Sequence, residues 1–171
     1  AKSLRQRFFF FFYVKRGGTT MHVLTGRLGE RALIGFQDRF FLQTGQGTIP
    51  IEHTIYATEA PSWPMVRIQA WGVFDRLMHR FGRVSSVEVE SDAFNRAFRV
   101  IAEDEAFAVT LLSPEMQEFL LEKSRGARWR IERGHVCLVY TGKMAGSRVE
   151  ASIDRMARFW SHVAPELEGW S

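Results

Sequence analysis

RWRIERGHVCLVYTG, residues 128–142, is the stretch on which the fold turns. Arg133-Gly134 stands between two strand-like runs, the spacing of a tight hairpin. In the first arm Trp129 and Ile131 alternate with Arg128, Arg130 and Glu132. The second arm, Val136 to Tyr140, is apolar on both faces. A strand of that kind needs cover on both sides, so it belongs deep in a sheet. Arg125, Arg128, Arg130 and Arg133 gather around this hairpin. They read either as a surface for acidic lipid or protein or as an outward strand face balanced by Glu132.

Working outward, MHVLTGRL (21–28), RALIGFQDRFFLQ (31–43) and TIPIEHTIYATEA (48–60) are rich in β-branched and aromatic residues. Glycine-bearing breaks at Gly29 and at Gly45–Gly47 separate them as hairpins. Pro50 inside the third run argues for an edge position or a bulge. VRIQA (66–70) is a fourth strand after the APSWP corner (60–64). Val73, Phe74, Leu77, Met78 and Phe81 then fall on one helical face ended by Gly82. VSSVEVE (84–90) and FRVIAE (98–103) read as strands flanking a short helix capped by Ser91. Helices follow over 104–112 and from Ser113-Pro114 onward, the latter burying Met116, Phe119 and Leu120. The last helix begins at a Ser147/Glu150 capping box. Its stripe is Val149, Ile153, Met156, Ala157, Trp160 and Val163, with Asp154, Arg155 and Arg158 facing away, and Pro165 stops it.

The expected architecture is therefore a single α+β domain over residues 1–171. It has a mostly antiparallel curved sheet or partial barrel, helices on one side and a C-terminal amphipathic helix. A pleckstrin-homology-like barrel plugged by that helix is the alternative closure. The 171 residues, 46% apolar and 25% charged, suit one folded domain with a core of its own. Cys137 is the single cysteine, so no intrachain disulfide forms. Net charge is +4, with nineteen arginines and four lysines scattered among acids. A nucleic-acid binder concentrates its basic residues on one element, so none is expected as a partner.

No motif assigns a catalytic residue, a cofactor or a metal. GxSxG, GxxxxGK[ST] and GxGxxG do not occur. His135 and Cys137 share a strand face, but two ligands do not make a zinc site. Glu103-Asp104-Glu105 reads as a solvated helix start, where acids suit the dipole. Trp71, Trp129 and Trp160 read as core. Trp63, between two prolines, and Trp170, at the chain end, read as contact-surface residues.

VEVESDAFNRAFRVIAEDEAFAVTLLSPEMQEFLL (87–121) resembles a bacterial family of membrane-anchored proteins of unknown function, and an actinobacterial branch most closely. The shared pattern is Glu90-Ser91, Phe94-Asn95, Phe98, Val100, Asp104-Glu105 and Ser113-Pro114-Glu115-Met116. HVLTG (22–26), WRIE (129–132) and the final helix extend the likeness; residues 43–64 depart from it. The resemblance brings no catalytic residues. It implies a membrane helix upstream of the domain.

That implication bears on RQRFFFFFYVKRGG (5–18). Residues 8–14 are too few for the ~20 that cross a bilayer as a helix, and a lone strand in lipid leaves its backbone unpaired. The run is instead expected to be the domain's first strand, near the lipid surface. Lys2, Arg5, Arg7, Lys15 and Arg16 would be the positive flank on the cytoplasmic side of an anchor preceding Ala1. The functional expectation is a non-enzymatic, membrane-tethered cytoplasmic interaction domain, an accessory subunit of a membrane protein complex. Its partners would be the membrane surface or a protein, met through Phe8, Phe10, Phe12, Lys15, Arg16, Trp63 and Trp170. The alternative is a small-ligand-binding domain or enzyme with a pocket between sheet and helices, near Asn95, His53 or His135.

Overall fold

The computed structural model of the chain describes residues 19–71, 86–123 and 126–170. The expected phenylalanine strand, with Phe8, Phe10, Phe12, Lys15 and Arg16, the helix over 73–81 and Arg125 lie outside the described residues. The alternating runs form strands β1 (Thr19–Leu28), β2 (Arg31–Thr44), β3 (Gly47–Glu59), β4 (Val66–Ala70), β5 (Phe98–Ala102), β6 (Ala127–Glu132) and β7 (His135–Thr141). They pair antiparallel in the order β1-β2-β3-β7-β6-β4-β5. The sheet does not close into a barrel, so the fold is α+β with an open, curved sheet.

The β6–β7 hairpin takes the centre, as its two-sided apolar arm requires. Arg133 and Gly134 both have positive φ, 53° and 72°. Such a two-residue turn matches the right-handed twist of the strands it joins. Val136, Cys137, Leu138 and Val139 are all buried. Pro50 fits equally well. β7 pairs with β3 only from His53 onward, so the Pro50 rung faces Phe41 on one side and no third described strand on the other.

The helices are α1 (Asp92–Ala97), α2 (Glu105–Leu111), α3 (Pro114–Lys123) and α4 (Gly146–Ser161), followed by a 3-10 turn over Pro165–Gly169. Two starts are capped as the sequence predicts, at Ser91 and Ser113, and Asp104, expected inside its helix, caps a third. Ser91 Oγ accepts from Phe94 N–H at 3.2 Å, Asp104 Oδ1 from Phe107 N–H at 3.0 Å, and Ser113 Oγ from Met116 N–H at 3.3 Å. Each such cap contributes about 1 kcal/mol. Helix α4 differs: it begins one residue before Ser147, its cap position is Ala145, and no side chain caps it. Residues 86–89 differ too, being irregular rather than a strand. The Ser86 hydroxyl bonds Val100 N–H at 3.0 Å and Val100 C=O at 3.1 Å, doing there what a backbone ladder would do.

The main core lies between the helices and one sheet face. Phe94, Phe107, Leu111, Met116, Leu120, Met156 and Phe159 meet Ile68, Val100, Trp129, Ile131 and Leu138. Trp129 and Phe159 stack with centroids 4.6 Å apart and planes 19° apart, worth about 0.5–1.5 kcal/mol beyond the area buried. The buried line of α4 is thus Ser152, Met156 and Phe159, rotated from the expected stripe. Arg155 and Arg158 do not face away as expected; they lie along the flanks of the stripe, half-buried.

On β2, Gly35 sits between Leu24 and Tyr56 on the neighbouring strands. A Cβ there would stand 2.9 Å from Leu24 Cγ and 2.9 Å from Tyr56 Cδ1. Gly35→Ala should therefore cost about 1–3 kcal/mol by overpacking. Gly26→Ala, with nothing within 4 Å of the new atom, should be near neutral. Urea denaturation of the two variants checks this, and equal stability would contradict the close approach.

Candidate functional site

Two concentrations of positive charge stand out, one on each face of the sheet. The first is built on the face opposite the helices. Period two puts Arg128, Arg130 and Glu132 of β6 on that face, beside Cys137 and Val139 of β7 and His53 of β3. Arg130 lies directly across from Arg67 on β4 and from Cys137 on β7. Arg67 is balanced by Glu132 at 3.4 Å. Like charges opposite one another are unfavourable, and burial lowers the pKa of both Arg128 and Arg130. Of the two readings of this basic group, the balanced strand face has its acid in place, in Glu132.

This face also fixes the state of two candidate ligands. Cys137 is fully buried among Phe36, Ile55, Ala57 and Val139. Burial pushes its thiol well above the usual range, so it remains a protonated, unreactive thiol. His135 Nδ1 lies 2.9 Å from the Arg133 carbonyl. Among the described residues no three His, Cys, Asp or Glu side chains are grouped to hold a metal ion. His53 packs on Phe40, ring centroids 5.3 Å apart. Burial, then Arg128 and Arg130, lower its pKa to about 4, although Asp38 lies directly across on β2.

The second concentration lies beneath the first turns of α4. The β7–α4 connection is pinned by three bonds. Gly142 N–H donates to Glu52 C=O at 2.8 Å, Thr54 Oγ1 donates to Gly142 C=O at 3.0 Å, and Met144 N–H donates to Gln37 Oε1 at 3.0 Å. So held, α4 overhangs a cleft of ≈340 Å³ lined by Tyr140, Thr141, Arg148, Ser152 and Arg155. Arg155 donates to Tyr140 Oη at 2.6 Å. An adjoining recess of ≈10 Å³ is lined by Thr54, Tyr56, Lys143, Ala145 and the shared Tyr140, Arg148 and Ser152. No acidic residue is among the described residues lining either space.

Tyr56 is fully buried, and its hydroxyl has no hydrogen-bond partner. The neighbouring Ser152 hydroxyl gives its own proton to the Arg148 carbonyl at 2.7 Å. Burial raises the Tyr56 pKa, with Ser152 acting in the opposite direction, so the phenol is a donor at neutral pH.

The remaining sequence candidates take structural places. Trp63 is 4% exposed and donates from Nε1 to the Leu167 carbonyl at 2.7 Å. That corrects its reading as a contact-surface residue: the 3-10 turn that seats Leu167 closes over the proline corner. Trp170 is half-buried, its ring 5.5 Å from Phe107. Trp160 donates to Thr58 Oγ1 at 2.9 Å and lies under the Arg31 guanidinium, 3.7 Å from the ring centroid. Asn95 is a brace. It accepts from Val89 N–H at 3.1 Å and donates to Val89 C=O at 2.7 Å. The arginine and tyrosine cleft was not legible, because Tyr56 and Tyr140 approach only through the β3–β7 pairing.

Compared with known proteins, the chain matches no protein family, no curated protein and no solved structure.

Asn95→Ala should cost about 1–3 kcal/mol, since it leaves the Val89 backbone groups unpaired; a thermal melt no lower than the parent's would refute the brace. The His53 pKa is depressed in the fold, so unfolded chains bind a proton that the native state does not. Stability should therefore fall as pH drops from about 6.5 towards about 4. His53→Gln should flatten that slope in urea titrations, and a slope identical to the parent's would contradict the assignment.

Proposed function

We propose that this chain is an interaction domain held at the cytoplasmic face of a membrane, serving as an accessory subunit of a membrane protein complex. The observation that carries the reading is the outer part of the β2–β3 hairpin. Beyond the Arg39 and His53 rungs the two strands continue to a turn at Gly45-Gln46 with no third described strand beside them. Phe41 is 44% exposed and Ile49 is 52% exposed on this arm. By register Phe41 stands opposite Pro50 and Ile49 opposite position 42, so the two exposed apolar side chains lie on opposite faces of the arm, and a lipid or protein into which the tip inserts would cover both. The arm also lies where the sequence departs from the family it resembles, so its contact would be particular to this chain.

The aromatic and basic residues at 5–16 support the membrane placement, as does the resemblance carried by Phe94-Asn95, Phe98 and Ser113-Pro114. No described helix is long and apolar enough to cross a membrane, so the tether in this reading lies outside the described residues. The described side chains bring no nucleophile, base and orienting group together. A ligand-binding role has one observation in its favour, the basic cleft beneath α4.

The test is fractionation of cells producing the full-length protein, followed by crosslinking and vesicle co-sedimentation. The protein should pellet with membranes or with a membrane protein. Phe41→Ser with Ile49→Ser should reduce that association while moving the melting temperature by no more than about 4 °C, as expected for solvent-exposed sites. A monomer that fractionates with neither lipid nor protein would overturn the proposal.

A further inference from the structure

We propose that the cleft beneath α4 binds a phosphomonoester group through Arg148, Arg155 and Lys143, with the Tyr140 and Tyr56 hydroxyls as donors. Five observations converge on an anion carrying more than one negative charge. Three cations border the cleft and its recess, with no described acid among the lining residues. Neither Lys143 nor Arg148 has an ion-pair partner among the described residues. The 16-residue helix α4 opens there with no side-chain cap and no acid in its first turn, leaving the positive end of its dipole uncompensated. Arg155 fixes the Tyr140 oxygen by donating to it, so the Tyr140 proton points elsewhere. The Tyr56 hydroxyl, buried and unpartnered, lines the recess.

The two spaces divide the work by size. The ≈340 Å³ cleft takes the phosphoryl oxygens against the guanidinium groups, whose planar forks suit them. The ≈10 Å³ recess has room for about one water, which links Tyr56 to the anion. A phosphomonoester fits better than a carboxylate because it carries nearly two charges and three acceptor oxygens at neutral pH. The site stands whether or not the chain is tethered to a membrane. The phosphoryl group can come from a soluble ester or from a lipid headgroup.

Calorimetric titration with inorganic phosphate, against sodium chloride at matched ionic strength, reads the free anion. Flotation with phosphatidic acid vesicles, against phosphatidylserine vesicles of equal surface charge, reads a headgroup. A saturable response in either arm, weakened about tenfold by Arg148→Ala, supports the site, and the arm that responds identifies the source. Tyr56→Phe adds a readout that a purely structural tyrosine would not give. It should weaken phosphate binding while leaving the ligand-free melting temperature unchanged or higher, because it removes an unpaired hydroxyl. No saturable response in either arm, or one that Arg148→Ala and Tyr56→Phe leave intact, overturns the proposal.

Discussion

β7 bonds to β3 along one edge and to β6 along the other, and these ladders join the β1–β3 meander to the β4–β5 pair. The two outer pieces follow one another in the chain, from Glu59 to Val66, yet stand on opposite sides of the later β6–β7 hairpin. Burial of Val136 and Leu138 against the helices, and of Cys137 and Val139 on the opposite face, drives the hairpin into the gap. The positive φ at Arg133 and Gly134 lets two residues reverse the chain there. The same strand then delivers Tyr140 to the cleft and runs into the pinned connection that positions α4.

Local signals in the sequence translated well where the physics is local. Hairpin breaks at Gly29 and Gly45, caps at Ser91 and Ser113, and the Met116-Phe119-Leu120 stripe all depend on neighbours a few residues away. What depended on distant partners was not legible. Trp63 between prolines resembles a surface residue until Leu167, 104 positions on, accepts its N–H. The Ser147/Glu150 spacing suits a capping box, but α4 starts at Gly146 and leaves that box unused. Arg155 looks solvent-facing by helical period. Its side chain instead turns to the Tyr140 hydroxyl, which only the β7–α4 connection brings near. Strand order, and with it the arginine face and the cleft, follows from which apolar surfaces remain after the hairpins form.

The charge distribution differs between the two faces of the sheet. The buried titratable groups on the face opposite the helices are held in unreactive states: Cys137 stays protonated and His53 stays neutral. Arg67 is matched by Glu132. By contrast, the cleft under α4 keeps its cations without a described counter-charge and faces them towards open space. We read this imbalance, beside the buried Tyr56 phenol, as suited to an external anion. Phe41 and Ile49 of the β2–β3 arm are exposed elsewhere on the molecule. In the proposed reading both features serve recognition, and both depend on the one continuous sheet.

Native-state hydrogen exchange, resolved by residue, tests that dependence most directly. Amides of Val136–Val139, of Ile55–Thr58 on β3 and of Arg128–Ile131 on β6 should all exchange with one free energy, that of global unfolding. The β1–β3 meander opening independently of the β6–β4–β5 half, with β7 exchanging alongside only one of them, would contradict the account.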